Sequence, residues 1–229
     1  MTASDTRESG QAAPIYITMV AGLLFLALAF FAVGQAGATH NGAQSAADAA
    51  ALAAAQESRD QFREDLLGGL LDPGFLDDIF NGNPLGTFNG CQEAGRFADR
   101  NGADLKPQDG SAGCDWATGG RWGFTVRVIT QKPMGENILP GTADEKAEAS
   151  ATAVVESRCH FEPAEEESES PSDGESPEDG EEPADPVEDE PVSPGALDCD
   201  GGLDWLIDPE NLDLLPDMAD LFSVRLAQD

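Results

Sequence analysis

The stretch Ile15-Tyr16-Ile17-Thr18-Met19-Val20-Ala21-Gly22-Leu23-Leu24-Phe25-Leu26-Ala27-Leu28-Ala29-Phe30-Phe31-Ala32-Val33 carries no charged side chain. A hydrocarbon layer of about 30 Å requires roughly 20 apolar residues, and the run opening at Pro14 meets that length. In lipid a lone segment satisfies its backbone only as a helix, because a single strand leaves its edges unpaired. Shortly afterwards comes Gln44-Ser45-Ala46-Ala47-Asp48-Ala49-Ala50-Ala51-Leu52-Ala53-Ala54-Ala55, composed largely of strong helix formers. Gly37 and Gly42 lie on the way but no proline does. One helix is therefore expected from Pro14 to about Leu67, roughly 80 Å long at 1.5 Å per residue.

A cleaved signal peptide is the competing reading of the apolar run. It would want a positive leader and an apolar stretch of about 7–15 residues. Here Asp5, Arg7 and Glu8 leave the leader net negative and the run is longer, although Ala36-Gly37-Ala38 resembles a small-residue cleavage site that would leave Thr39 as first residue. Arg7 lies close to the run on its N-terminal side, and the next basic residue is Arg59. The positive-inside rule then puts the N-terminus in the cytoplasm and the body outside it. The cysteine count of 4, with no CxxC pair, agrees with an exported body.

The formal charge is −32 over 229 residues. Nucleic acid is excluded as a partner, since polyanion binding needs Lys and Arg to displace counterions. Much of the excess sits between Glu162 and Glu190, which hold fifteen acidic residues, and no Lys or Arg occurs between Arg158 and Arg225. Such a segment buries too little apolar surface to offset its ordering entropy and reads as a disordered, solvated spacer.

The remaining chain divides by composition. We expect a polar cytoplasmic leader over 1–13, a transmembrane helix over 14–36, an Ala-rich helix over 37–67, and an irregular Gly/Pro insert over 68–90. A small α+β ectodomain follows over 91–161, then the acidic linker over 162–195. The last segment, 196–229, docks back on the ectodomain, and within it Gly201 to Asp229 reads as short helical pieces broken near Pro209 and Pro216. Within the ectodomain, Cys91 to Arg100 forms a short helix closed by Asn101-Gly102. Trp122, Phe124, Val126 and Val128 alternate with Gly123, Thr125, Arg127 and Ile129, and Ala147 to Glu156 alternates likewise. Period-two alternation marks half-buried antiparallel strands. The order is compact only if this sheet packs on the extra-membrane part of the first helix.

Together, the leader ending in Gly10, the apolar helix and the run containing Gln44, Ala46, Ala47, Asp48, Ala49, Ala50 and Leu52 resemble the N-terminal domain of TadE/TadG-like Flp pilus-assembly proteins. The resemblance covers about Glu8 to Gln56. Cys91 through Ile129 is similar to TadE-like proteins of high-GC Gram-positive bacteria. The family resemblance implies a fold of class α+β, with a pilin-like helix-plus-antiparallel-sheet ectodomain. It also implies a non-enzymatic, pseudopilin-like component of a Tad (Flp) pilus or related secretion system. Membrane lipid and other Tad components are the partners it implies. In such systems a prepilin peptidase cuts after glycine, with glutamate at the fifth mature position; here Ile15 stands there after Gly10. That departure argues against a major pilin and fits an unprocessed, TadG-like component.

No catalytic or cofactor motif emerges. His40 sits at the membrane exit, and His160 follows Cys159 without a second metal-spaced pair, whereas zinc needs about four ligands. Asp198-Cys199-Asp200-Gly201 begins like a calcium loop but has Leu203 where the turn glycine belongs. No metal, cofactor or catalytic residue is therefore expected. The cysteines carry the covalent chemistry. Cys91 with Cys114, and Cys159 with Cys199 across the acidic linker, is the expected pairing, although other pairings remain open. Small residues at four-residue spacing, Ala32 with Ala36 and Gly34 with Ala38, permit self-association through the N-terminal helix. The alternative to the pilus reading is a generic membrane-tethered exported protein whose acidic spacer presents a C-terminal partner-binding segment.

Overall fold

The computed structural model describes residues 12–82, 84, 86–133, 144–164 and 192–227. The leader up to residue 11 and most of the acidic linker, 165–191, lie outside the described residues. Helix α1 runs over Ala12–Gln61, 50 residues, so its axis is about 75 Å long. Phe62 then donates its N–H to both Ser58 O and Arg59 O at 3.2 Å, a tightening that ends α1 before α2 (Arg63–Gly69) resumes. The expected single helix is thus two, with only Phe62 between them.

Helices α3 (Pro73–Phe80) and α4 (Cys91–Arg100) follow, and then eight strands among the described residues. These are β1 (Ala103–Leu105), β2 (Cys114–Trp116), β3 (Gly123–Thr130), β4 (Glu148–Ser157), β5 (Cys159–Pro163), β6 (Gly195–Cys199), β7 (Leu203–Leu206) and β8 (Phe222–Leu226). A 3-10 turn at Leu212–Leu214 and helix α5 (Met218–Leu221) precede β8. One sheet has the order β1-β3-β4-β8 with β2 also beside β3; the other is β5-β6-β7. The fold is α+β: a long apolar N-terminal helix followed by an antiparallel sheet domain.

The described chain forms two compact units. The first comprises Met1–Ala51, Glu93–Asp115 and Thr125–Ala151. In it Ala43, Ala46, Ala47, Ala50 and Ala51 of α1 are fully buried. Gln44 reaches from the same helix to Ser150 O of β4 at 3.3 Å. Strand β1 pairs antiparallel with β3 in the register Ala103↔Thr130. After α4 the backbone turns through Gly102 at φ +72°, the left-handed conformation that Asn101-Gly102 supplies at a helix end. Gln131 then ties the α4–β1 corner, donating to Asp99 Oδ1 (2.8 Å) and Asp104 Oδ1 (3.1 Å).

The second unit comprises Leu52–Gln92, Trp116–Phe124 and Thr152–Asp229. Its core is an aromatic cluster. Phe62, Trp122 and Phe222 meet edge to face at centroid distances of 5.0, 5.4 and 6.1 Å, and Phe80 stacks on Phe222 at 5.4 Å. The Trp122 indole N–H donates to Ser58 Oγ (2.9 Å), and Ser58 donates in turn to Phe88 O (2.6 Å). Gly90 lies so close to α1 that a Cβ there would come within 2.0 Å of Ala54 O.

Two expectations are corrected here. Residues 68–90 are not wholly irregular, because α3 forms within them. Asp72 caps it by accepting from Gly74 N (2.9 Å) and Phe75 N (3.3 Å), with Pro73 in the first turn. Leu76, Ile79 and Phe80 supply its buried face at helical spacing.

The C-terminal segment carries strands β7 and β8 besides its short helical pieces at Leu212–Leu214 and Met218–Leu221. Phe222, Val224 and Leu226 alternate with Ser223 and Arg225, a period of two. β8 accordingly pairs with β4 in the register Ala153↔Leu226 to Ser157↔Phe222. The linker is also shorter at both ends than expected, since β5 extends to Pro163 and β6 starts at Gly195. Ala164 N–H donates to Pro194 O at 3.0 Å, so the chain leaves and re-enters this hairpin at adjacent positions.

Removing the Ser58 hydroxyl leaves a buried indole N–H without its acceptor, an omission that costs about 1–3 kcal/mol. We expect Ser58→Ala to lower unfolding free energy by that amount in urea titrations followed by Trp fluorescence. A variant as stable as wild type would show that Trp122 finds another acceptor.

Candidate functional site

The family-motif residues run round α1 where the helix leaves its exposed apolar part, with Ala46, Ala47 and Ala50 on its buried face. Upstream, Ile15, Phe25, Phe30 and Phe31 are 61–75% exposed, and apolar side chains face outward all round the helix. Downstream, the buried positions begin at three- and four-residue spacing with Ala43, Ala46, Ala47, Ala50 and Ala51, and with Ala53, Ala54 and Ala55 the helix is then covered nearly all round. Ala49 and Leu52 flank that face and are half-buried.

Alanine suits this face. It loses no rotamer entropy on burial and lets another backbone approach closely. Gln44 and Asp48 are joined across one helical turn, Gln44 Nε2 donating to Asp48 Oδ1 at 2.8 Å. The same Gln44 amide reaches Ser150 O, so this pair fixes the helix against β4. Its part is positional: Asp48 orients Gln44, and Gln44 grips the sheet.

All four cysteines are disulfide-bonded, and Cys159 is joined to Cys199. These two face each other directly across β5 and β6. Asn81, at the end of α3, holds β5 from the side. Its amide donates to Phe161 O and its carbonyl accepts from Phe161 N, both at 2.9 Å. Neither Asn81 nor Ser58 was picked out from the sequence, because a polar residue that pairs with distant backbone leaves no local pattern.

The Asp198-Cys199-Asp200-Gly201 stretch forms the β6–β7 turn, where Gly201 and Gly202 take φ +93° and +80°. Among the described residues, no three His, Cys, Asp or Glu side chains come together to hold a metal. A cavity of about 270 Å³ in the second unit is bordered by Phe80, Trp122 and Val154, with Arg121, Glu156 and Ser157 as its polar groups. None of these is paired as nucleophile and base.

Charge is tuned on the surface of the second unit. The Asp208 carboxyl is held below its ordinary range by the Asn211 side-chain amide and then by the Glu210 backbone N–H. Its contribution is therefore present at neutral pH and is lost as pH falls through the lowered value. The Arg225 guanidinium is raised by its hydrogen bond to Glu156 and by that carboxylate's charge, an ion pair between β8 and β4. Both are exposed and belong to structure.

This geometry defines a class: a protein with one apolar helix of membrane-spanning length, continued by an alanine face buried within a small α+β body. Residues 10–57 match the family model described as "Putative Flp pilus-assembly TadE/G-like". The match ends within α1, and the sheets lie beyond it. No curated protein and no solved structure is significantly similar to the chain.

Enlarging the alanine face should separate the helix from what it packs on. Ala47→Leu is expected to cost about 1–3 kcal/mol by overpacking, read as a lowered midpoint in thermal unfolding. An unchanged midpoint would show slack around Ala47. Replacing both Cys159 and Cys199 by serine should cost about 2–5 kcal/mol, because the bridge restrains a long loop in the unfolded chain.

Proposed function

We propose that this protein is a membrane-anchored, non-enzymatic, pseudopilin-like structural or assembly component of a Tad (Flp) pilus or related secretion system. The observation that carries the reading is the change of environment along α1. Its first part is apolar and exposed on every side, as a helix meant for lipid is, while its alanine continuation is buried, on one face at Ala43, Ala46 and Ala47 and nearly all round from Ala50 to Ala55. The TadE/G-like match falls on this same stretch. Arg7 before the run and the absence of any Lys or Arg from there to Arg59 favour a cytoplasmic N-terminus and an extracytoplasmic body.

The helix passes unbroken through Ala36-Gly37-Ala38, which favours an anchor over a cleaved signal. Gly22, Gly34 and Gly37 have open space where a Cβ would stand, leaving room for a second helix at close range in the membrane. The disulfides suit an oxidising compartment. The generic alternative, a spacer presenting a free C-terminal segment, is disfavoured because β8 is built into the sheet.

Deletion of residues 15–33 should move the protein from the carbonate-resistant membrane fraction to the soluble one. A mature chain beginning at Thr39 would sink the anchor. Deletion of the gene should abolish surface pili or the matching secretion; unchanged output would sink the assembly role while leaving the anchor intact.

A further inference from the structure

Strand β7 is the edge of the three-stranded sheet β5-β6-β7. Ile207 N–H donates to Gly195 O at 3.1 Å, in step with the register Ala196↔Leu206 to Cys199↔Leu203. Hydrogen-bonded pairs alternate along an antiparallel ladder. Leu203 and Trp205 therefore turn their backbone groups toward β6, and those of Asp204 and Leu206 face the open side. Natural edges are usually blunted by lysine, proline or a bulge. This one has none of those three and is blunted only by its length of 4 residues and by the charge of Asp204. Its Leu203 is 41% exposed and its Leu206 66% exposed.

The outer face carries an electrostatic conflict. His160, Asp198 and Asp204 stand in one row across β5, β6 and β7. Like charges directly opposite one another in a sheet are destabilising, and Asp198 faces Asp204 at a non-hydrogen-bonded position, where side chains are closest. His160 and Arg158 border the same hollow as Asp198, and no Lys or Arg lies between Arg158 and Arg225 in the sequence. Arg158 itself is turned to Ala219 O at 3.2 Å. Among the described residues no strand occupies the next place in that row, the lane beside β7 beyond Asp204. In the following row the same lane adjoins Leu206.

We propose that the open edge of β7 accepts an added strand from a different protein, which places a Lys or Arg beside Asp204 and an apolar side chain beside Leu206. Backbone pairing along an edge supplies affinity, and alternate side chains supply specificity. A second copy of β7 does not suit the lane, because it would add acidic residues to an acidic row. The inference is independent of the membrane role of α1.

The test uses the full chain in detergent micelles and a blocked nine-residue probe peptide. Valine alternates on one face of the probe with lysine and leucine on the other. Fluorescence anisotropy should show the lysine peptide binding at least ten-fold tighter than a glutamate counterpart. It should also bind ten-fold tighter than the same peptide N-methylated on alternate amides, which keeps the charge but cannot pair. Asp204→Lys should reverse the preference between lysine and glutamate peptides. Leu206→Pro, tolerated on an outward-facing edge N–H, should weaken binding ten-fold. Equal binding of the N-methylated peptide would mean ionic attraction alone and overturn the proposal, as would an unchanged preference in Asp204→Lys.

Discussion

The architecture depends on how closely other backbone can approach α1. Where Ala43, Ala46, Ala47, Ala50, Ala51 and Ala54 are buried, the helix offers only methyl groups. Each methyl contributes little, about 0.8 kcal/mol on burial, but none costs rotamer entropy. The gain comes from proximity. Gly90 sits where even a single Cβ would collide with Ala54 O, and Gln44 reaches the backbone of β4 with its side-chain amide. Larger side chains on this face would have forbidden both contacts.

The same helix meets three environments along its length. Around residues 15–31 it is apolar on every side and uncovered by the rest of the chain. Through the alanines it is covered, on one face at Ala43, Ala46 and Ala47 and nearly all round from Ala50 to Ala55. At Ser58 and Phe62 it turns from small residues to a polar anchor and a large ring, which engage Trp122.

The C-terminal chain completes the second unit rather than hanging from it. Phe222 of β8 packs against Phe62, Phe80 and Trp122. Arg225 pairs with Glu156 on the adjacent strand. The Cys159–Cys199 bridge and the Asn81 clamp on Phe161 hold the β5–β6 hairpin at both faces of the problem: one restrains the unfolded chain, the other satisfies an edge backbone that burial would otherwise leave unpaired. The acidic segment is thereby an insertion within a hairpin, since residues 164 and 194 are hydrogen-bonded neighbours.

Much of this was legible before any coordinates. The uncharged run fixed a membrane-length helix through length and hydropathy, the alanine run extended it, and Cys91 to Arg100 with Asn101-Gly102 marked α4 to the residue. Alternation marked β3 and β4. The Asp72-Pro73 cap of α3 was also present but was masked by the surrounding glycines and prolines. What the sequence determined alone was therefore periodic or compositional: such signals are repeated along the chain and need no partner to be read. The tertiary structure decided the fate of 196–229, where Phe222-Ser223-Val224-Arg225-Leu226 is too short for its period to outweigh the leucines and prolines before it. It also decided the Ser58–Trp122–Phe88 relay, the Asn81 clamp and the open edge of β7. The relay and the clamp join groups far apart in sequence, which only the folded backbone brings within hydrogen-bonding distance, and the edge of β7 is defined only by the strand order.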